Sequence, residues 1–335
     1  MKAETLLDAI GATPIVDISA LAPGSGSQIW LKLEGGNPTG SYKDRMAVSV
    51  LGQALARGEI APGTRVIEFT GGSTGTALAF VSAVLGLSFT AVFSDAFADA
   101  KRQAMEAYGA EVQVEPSGDG TITPELIQRM KARAFALAEA PGAFYADQFG
   151  SPDVRAGYAP MGREIAADLD GQVDLLVAAV GTGAALMGAA DGLAAAGAMP
   201  GVIALEPLQS PLLTTGRGGP HRVEGIGVGF APPHALNPST NKSTHTTHLI
   251  HISHLQSLVV KWRLAYRCAS CRVIAIKQAR VNLVQPPRGR IDKARHFRAG
   301  QVEIRTFDVP IFDILIHPPV KVLDVCNPQL NRGLG

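Results

Sequence analysis

The fold of this chain is best predicted from one stretch, Leu33-Glu34-Gly35-Gly36-Asn37-Pro38-Thr39-Gly40-Ser41-Tyr42-Lys43-Asp44-Arg45. A short apolar strand, at about residues 29–33, leads through a turn of Gly, Pro and Asn into a helix. Ser41 is a good N-cap, and Asp44 follows at the spacing of a capping box. Lys43 then lies in the first helical turn, where the helix dipole disfavours a cation and lowers the pKa of an amine. An amine that attacks a carbonyl needs this lowered pKa, but a solvated surface lysine also fits the local pattern.

Strands and helices alternate along the chain on both sides of this stretch. The apolar pattern predicts strands at about 65–69, 89–93, 109–114, 173–180 and 202–207. It predicts helices at about 43–57, 76–85, 98–108, 122–139 and 184–196. This βαβ alternation predicts an α/β fold with a parallel sheet and covering helices.

Two glycine-rich loops each follow a predicted strand and precede a helix. Their sequences are Thr70-Gly71-Gly72-Ser73-Thr74-Gly75 and Gly181-Thr182-Gly183-Ala184-Ala185. Free backbone N–H groups at a positive helix end form an anion site, although a tight strand-to-helix turn explains the glycines equally well. A dinucleotide fingerprint competes for the second loop, but the third glycine and the later acidic residue are missing from the sequence there.

Residues 37–45 resemble the lysine segment N-P-T-G-S-x-K-D-R of the cysteine synthase family, which includes cystathionine β-synthase. The resemblance implies that Lys43 carries pyridoxal 5′-phosphate (PLP) as an internal aldimine. It also implies a two-lobed fold with doubly wound, mostly parallel sheets, like that of the tryptophan synthase β-subunit. The small substrate-binding lobe would span 38–145, and the large PLP-binding lobe would combine 1–37 with 146–233.

The first loop resembles the family segment T-S-G-N-T-G, which holds the substrate α-carboxylate. The resemblance assigns this role to Thr70, Gly71, Ser73 and Thr74. Ser73 also replaces an asparagine that bonds the 3′ oxygen of the cofactor, and a serine offers one donor instead of two. Residues 145–149 resemble the segment that brings a glutamine to the substrate, which assigns substrate binding to Gln148.

The second loop resembles the phosphate-binding segment G-T-G-G-T of the family. Cofactor binding is therefore implied for Gly181, Thr182 and Gly183, and for Ala184 and Ala185 through their backbone. The loss of a hydroxyl at Ala185 removes one contact. Residues 221–233 resemble a further family segment whose first glycine lies beside the cofactor. That position is Gly225, whereas His221 is expected to be structural.

The implied reaction is β-replacement on an O-activated serine. Lys43 removes the Cα proton, and the β substituent departs to give an aminoacrylate. A nucleophile then adds to the aminoacrylate. O-acetylserine and sulfide, giving cysteine, are the default substrates by resemblance. A β-elimination enzyme, such as a serine/threonine dehydratase or a cysteine desulfhydrase, is the alternative within the same fold. An inactive PLP-binding homologue is the alternative of another class.

Composition limits the other functions. The 335 residues carry a net charge of +1, which gives no reason to expect nucleic acid or membrane partners. We find no signal peptide and no long apolar span, and three cysteines do not make a disulfide framework. A cytoplasmic enzyme is therefore expected, without a metal, and the resemblance implies a homodimer.

The composition changes sharply near residue 233. Lys and Arg divide 15 and 15 across this point, while Asp and Glu divide 24 and 5, so the net charge changes from −9 to +10. Seven of the eight histidines, all three cysteines and only four of the 37 glycines lie in residues 234–335. The family resemblance ends at the same place. A shifted reading frame explains both changes more simply than a fused segment does.

The atypical tail, residues 234–335, is therefore expected to be poorly packed and to leave the large sheet without some of its strands. The family's G-x-S-S-G-A segment, whose serine bonds the pyridine nitrogen, is not found, and Ser270 is a weak substitute. A zinc site built from His245, His248, His251, His254, Cys268 and Cys271 is disfavoured. Its spacing fits neither a helix nor a strand face.

Overall fold

The computed structural model describes residues 4–21, 27–221, 223–236, 247–252 and 272–276. All of them belong to one compact unit, Met1–Arg280, whose strands form two sheets. Within these described ranges, every helix is too short or too polar to cross a membrane.

The smaller sheet has four parallel strands, in the order β5-β4-β3-β6. They are β3 (Arg65–Phe69), β4 (Ser88–Ser94), β5 (Glu111–Glu115) and β6 (Ala143–Tyr145). Parallel neighbours need crossover connections, which are α2 (Ser73–Val84), α3 (Asp99–Ala107) and α4 (Pro124–Ala138). All four strands fall within 38–145, the range predicted for the small lobe; the domain division itself stays a prediction.

The larger sheet has six strands, in the order β1-β2-β10-β7-β8-β9. They are β1 (Ile15–Asp17), β2 (Gln28–Lys32), β7 (Leu175–Ala179), β8 (Gly201–Pro207), β9 (Thr247–Ile252) and β10 (Arg272–Ile276). β1 pairs antiparallel with β2, and the other pairs are parallel. The helices of this part are α5 (Pro152–Ala156), α6 (Ala159–Asp168), α7 (Ala184–Ala195), α8 (Leu212–Thr215) and α9 (Pro233–Leu236).

Two strands of the larger sheet come from the atypical tail. β10 pairs with both β2 and β7, and β9 pairs with β8. The expectation that the tail leaves the sheet without its strands is therefore wrong for these two segments. Strand pairing uses backbone groups, and the short run Arg272-Val273-Ile274-Ala275-Ile276 has the β-branched residues that favour it.

The candidate zinc ligands and the candidate serine of the tail cannot be placed. His248 and His251 belong to β9, but their side chains lie outside the described part of the structure. The remaining candidates are outside the described residues altogether: His245, His254, Cys268, Ser270 and Cys271. That residues 234–335 do not complete the normal cofactor site stays a prediction.

The helix that follows the quoted stretch, α1 (Lys43–Ala56), begins differently from the predicted capping box. Ser41 Oγ accepts the backbone N–H of Lys43 at 3.1 Å. The Asp44 carboxylate accepts the N–H and the hydroxyl of Thr39 instead of closing on Ser41. Asp44 thus ties the preceding turn to the helix, because Thr39 offers it two donors. Lys43 is the first helical residue, in the first turn as predicted.

Candidate active site

One cavity of about 580 Å³ collects most of the residues singled out in the sequence. It lies where β3 and β7 end and the two glycine-rich loops begin, which is the usual ligand position in open parallel sheets. The predicted site residues that line it are Lys43, Thr70, Gly71, Ser73, Thr74, Gln148, Gly181, Thr182 and Gly225. The other three predicted residues do not line the cavity but follow the lining residues directly, as the N-cap and first turn of α7: Gly183, Ala184 and Ala185.

Lys43 is only 5% exposed, and its Nζ lies 5.3 Å from the centre of the Tyr42 ring. Burial lowers the pKa of this amine to about 8, although the negative charge of Glu68 opposes the shift. Among the residues that the structure describes, no carboxylate forms an ion pair with it. Near neutral pH a useful fraction of Lys43 is therefore neutral, as a nucleophile or a base requires.

The first glycine-rich loop is held by Thr70. Its Oγ1 accepts the backbone N–H groups of Gly72 at 3.0 Å and Gly75 at 3.1 Å, which leaves the hydroxyl hydrogen to donate to a ligand. Helix α2 begins at Ser73, three residues before the predicted start, because the loop itself winds into the first turn. The cavity therefore faces the positive end of a 12-residue helix, which favours an anion.

Thr74 and Gln148 are far apart in the sequence but bonded in the structure. Thr74 Oγ1 donates to Gln148 Oε1 at 2.8 Å, and Gln148 Nε2 donates to the backbone oxygen of Phe69 at 2.9 Å. Both side chains are buried and line the cavity. The two residues predicted from separate motifs to bind substrate thus form one subsite beside the first loop.

The second glycine-rich loop brings backbone against backbone. A Cβ at Gly181 would stand 2.5 Å from the carbonyl oxygen of Gly225, so only glycine allows this approach. Gly183 has a φ of +79°, and a Cβ there would lie 2.7 Å from the backbone nitrogen of Ala235. Thr182 Oγ1 accepts the N–H of Ala184 at 3.3 Å. The cradle opens onto the N-terminus of α7, where the backbone N–H groups suit a phosphate.

The structure also reveals residues that the sequence reasoning missed. Glu68 is fully buried beneath the first loop. The sequence signal that could have identified it is a carboxylate among the apolar residues of β3. Lys101 and Glu224 form an ion pair at the cavity, which no local pattern indicates. His234 is buried beside Gln148 with its Nε2 unpartnered in the described part of the chain, one residue beyond the composition break.

His221 has the geometry of a structural residue. Its Nε2 lies 2.7 Å from the carbonyl oxygen of Gly227, and its Nδ1 accepts the N–H of Val223 at 3.2 Å. Because Nδ1 accepts from Val223, Nε2 is the ring nitrogen that donates to the carbonyl oxygen of Gly227. Both ring nitrogens are therefore used in hydrogen bonds to the backbone on either side of Gly225.

Known proteins have similar sequences and structures. A family model described as pyridoxal-phosphate dependent enzyme matches residues 6–248. Cysteine synthase of Flavobacterium sp. is 37% identical over 234 residues, which are 69% of this chain and 74% of the relative. O-ureido-L-serine synthase of Streptomyces lavendulae is 37% identical over 230 residues, 68% of this chain and 69% of the relative. A crystal structure of O-ureido-L-serine synthase has a TM-score of 0.70 at 29% identity, covering 83% of this chain and 92% of its own.

The fold and the site together define a PLP-dependent enzyme that acts on amino acids. The chain belongs to the pyridoxal-phosphate-dependent enzyme family and, within it, to the group that contains the cysteine synthases. This confirms the resemblance, the two-lobed PLP fold and the cofactor expected from the sequence. The described residues also fit the group, because the Gly181–Gly225 approach leaves a backbone cradle and Lys43 reaches the same cavity. The roles of individual residues stay predictions.

Thr74→Ala tests which loop binds which anion. We expect the substrate dissociation constant to rise about tenfold, since a hydrogen bond in a buried site contributes on the order of 1 kcal/mol. PLP content should stay near that of the wild type, because the PLP phosphate is assigned to the second glycine-rich loop, at the start of α7 (the α7 loop). Both are measured on purified protein, PLP by absorbance after release in alkali. Loss of PLP with unchanged substrate affinity would mean that the two loops are assigned the wrong way round.

Proposed function

We propose that the chain catalyses β-replacement on an O-activated serine, with O-acetylserine and sulfide as substrates and cysteine as product. The observation that carries the proposal is the convergence on one cavity of a buried lysine, a carboxylate subsite and a phosphate cradle. The names of the relatives support it, because cysteine synthase and O-ureido-L-serine synthase both make serine-derived amino acids. The two names describe different products, cysteine and O-ureido-L-serine.

In this proposal the chain's residues position the substrate and move one proton. Thr70, Gly71, Ser73, Thr74 and Gln148 bind the α-carboxylate, and the amine of Lys43 takes the Cα proton. The α7 loop holds the PLP phosphate through Gly181, Thr182 and Gly183 and the backbone of Ala184 and Ala185. Gly225 would lie beside the bound cofactor, and the hydroxyl of Ser73 would donate a hydrogen bond to it. PLP, when bound, supplies the electron sink for the charge that develops at Cα.

A single spectroscopic experiment tests the proposal. The visible spectrum of the purified chain with PLP is recorded before and after O-acetylserine is added, and cysteine is measured after sulfide is added. We expect a spectral change with O-acetylserine that sulfide reverses, with formation of cysteine. Pyruvate and ammonia without cysteine would indicate β-elimination instead. Bound PLP without any turnover would identify an inactive homologue.

We propose a homodimer, on the resemblance to the family, and a cytoplasmic location, on the sequence features given above. Sedimentation of the purified chain at micromolar concentration measures the mass of the particle.

A further inference from the structure

Glu68 is a carboxylate buried directly beneath the first glycine-rich loop. Its side chain is fully enclosed at the end of β3, between Ile67 and Phe69. Its oxygens accept the backbone N–H groups of Phe69 at 3.0 Å and Gln148 at 2.9 Å. Burying a carboxyl group among apolar residues costs free energy unless the group is hydrogen-bonded. The bond to Gln148 is the one that reaches another part of the site.

The turn that carries Gln148 has an unusual backbone. Asp147 has a φ of +49°, which is uncommon for a residue other than glycine. The N–H of Gly150 bonds the Asp147 carboxylate at 2.9 Å, and the N–H of Ser151 bonds its carbonyl oxygen at 3.0 Å. Such a conformation persists only where surrounding contacts hold it. On the side that faces β3, Glu68 supplies one contact, and the N–H of Ala146 supplies another by donating to the carbonyl oxygen of Ile67 at 3.1 Å.

Gln148 is consequently anchored at several points, one of them a bond between its backbone and His234. Its backbone N–H reaches Glu68, its Nε2 reaches the carbonyl oxygen of Phe69, and its Oε1 accepts from Thr74. We propose that Glu68 is a positioning residue for the substrate-carboxylate subsite, which it orders by holding the Gln148 backbone against the end of β3. The inference rests on the proposed function, because the subsite is the one assigned there to the amino-acid substrate.

Several charged or titratable groups surround this carboxyl group. Burial raises the pKa of Glu68 to about 8, the N–H of Gln148 opposes this shift, and the charge of Asp147 adds to it. Burial also raises the pKa of Tyr145, and the charge of Glu68 raises it further. Lys43 interacts electrostatically with Glu68 from α1, and His234 bonds the backbone of Gln148. The experiment is therefore run at several pH values, with the same groups present in every variant.

Glu68→Gln tests the inference, because it keeps the shape but removes the charge and presents an NH₂ group to the backbone. Glu206→Gln is the matched control. Glu206 is also buried in a β-strand and accepts two backbone N–H groups, from Leu213 at 2.8 Å and Thr214 at 3.0 Å. Full-length proteins loaded with PLP are compared by two measurements. These are hydrogen exchange of the peptide covering 145–150 and the dissociation constant of O-acetylserine, taken from the cofactor absorbance between pH 6.5 and 9.

In Glu68→Gln at pH 9, where Glu68 of the wild type is ionised, we expect both the exchange rate at 145–150 and the dissociation constant to rise about tenfold or more, as for a lost bond to a carboxylate. The two proteins should differ less as the pH falls below the pKa of Glu68, about 8. The dissociation constant of the wild type should also vary with pH around the titration of Glu68, and this variation should weaken in the variant. Glu206→Gln should lose thermal stability without either change. If Glu68→Gln does not fold, Glu68→Asp, which draws the carboxylate back by one methylene, should show smaller rises in both quantities.

Unchanged affinity overturns the inference, even if exchange rises, because Glu68 would then hold the turn without ordering the subsite. Failure of the proposed function has a different signature. The wild type itself would show no spectral response to O-acetylserine. In that case hydrogen exchange alone decides whether Glu68 holds Gln148, and an unchanged rate at 145–150 overturns the inference.

Discussion

Replacing Lys43 with alanine is expected to lower turnover by at least about 10²–10⁴-fold, the range for losing a positioned general base. The amine is buried in the cavity and has no carboxylate partner among the described residues, so its removal should leave the fold intact. Lys131→Ala, at a lysine that lies over the Phe135 ring away from the cavity, is the control and should keep full activity. Turnover is measured as cysteine formation at saturating O-acetylserine.

The attachment of PLP can be located independently of turnover. Borohydride reduction should fix PLP on the peptide that contains Lys43, and the label should be absent in the alanine variant. Burial lowers the pKa of Lys43 to about 8, and Glu68 opposes this shift, so the neutral amine increases as the pH rises through 8. The rate at which PLP enters the cofactor-free protein should therefore rise between about pH 7 and 9, whereas an ordinary lysine titrates near 10.4. A label on another lysine would contradict the assignment.

Arg45→Met is expected to reduce the free energy of unfolding by about 3–5 kcal/mol, the range for removing one partner of a buried ion pair. Arg45 Nε and Nη2 bond the fully buried carboxylate of Glu34 at 2.7 and 2.9 Å. Its Nη1 and Nη2 also bond Glu164, each at 2.7 Å. Methionine fills much of the volume but leaves the charge of Glu34 buried and unpaired. Urea unfolding at pH 7 measures the loss.

Arg57→Met is the matched control, because Arg57 directly follows the same helix. The side chains of Arg57 and Glu59 are 44% and 46% exposed, and only that of Asp153 is mostly covered, at 15%. An exposed guanidinium keeps its water when it loses its partners, so we expect a change of about 1 kcal/mol or less. Equal losses of unfolding free energy in the two variants would mean that the buried ion pair stabilises the fold no more than the pairs of Arg57 do. A loss below about 1 kcal/mol for Arg45→Met would contradict the prediction outright.

The Arg45 pair also predicts how stability depends on pH. Burial would raise the pKa of Glu164, but the guanidinium of Arg45 and the ammonium of Lys32 hold it at about 2. A carboxyl group with a lowered pKa stabilises the folded state above its unfolded pKa of about 4.3, and this stability is lost as the pH falls toward 2. Arg45→Met should therefore flatten the stability curve in that window, and an unchanged slope would argue against the pairing.

Local chemistry in the sequence was enough to predict the class of fold and to single out stretches that line one cavity. Alternation of apolar runs sets strands and helices because each element must bury one face, and the predicted strand at 65–69 matches β3 residue for residue. A glycine-rich loop before a helix suits an anion as well as a tight turn, so the pattern marked both loops as candidate anion sites, and the family resemblance implied which anion each would bind. Lys43 in a first helical turn followed from the same local reasoning.

The tertiary structure alone decided which distant groups meet. The pairing of Thr74 with Gln148, the hold of Glu68 on that turn and the enclosure of Arg45 between Glu34 and Glu164 join residues from separate elements. The predicted capping box failed because Thr39, in the turn, offered Asp44 better donors than Ser41 did. The tail strands β9 and β10 escaped prediction because backbone pairing needs little from the side chains. Contacts of this kind depend on where whole elements pack, and no local pattern of residues encodes them.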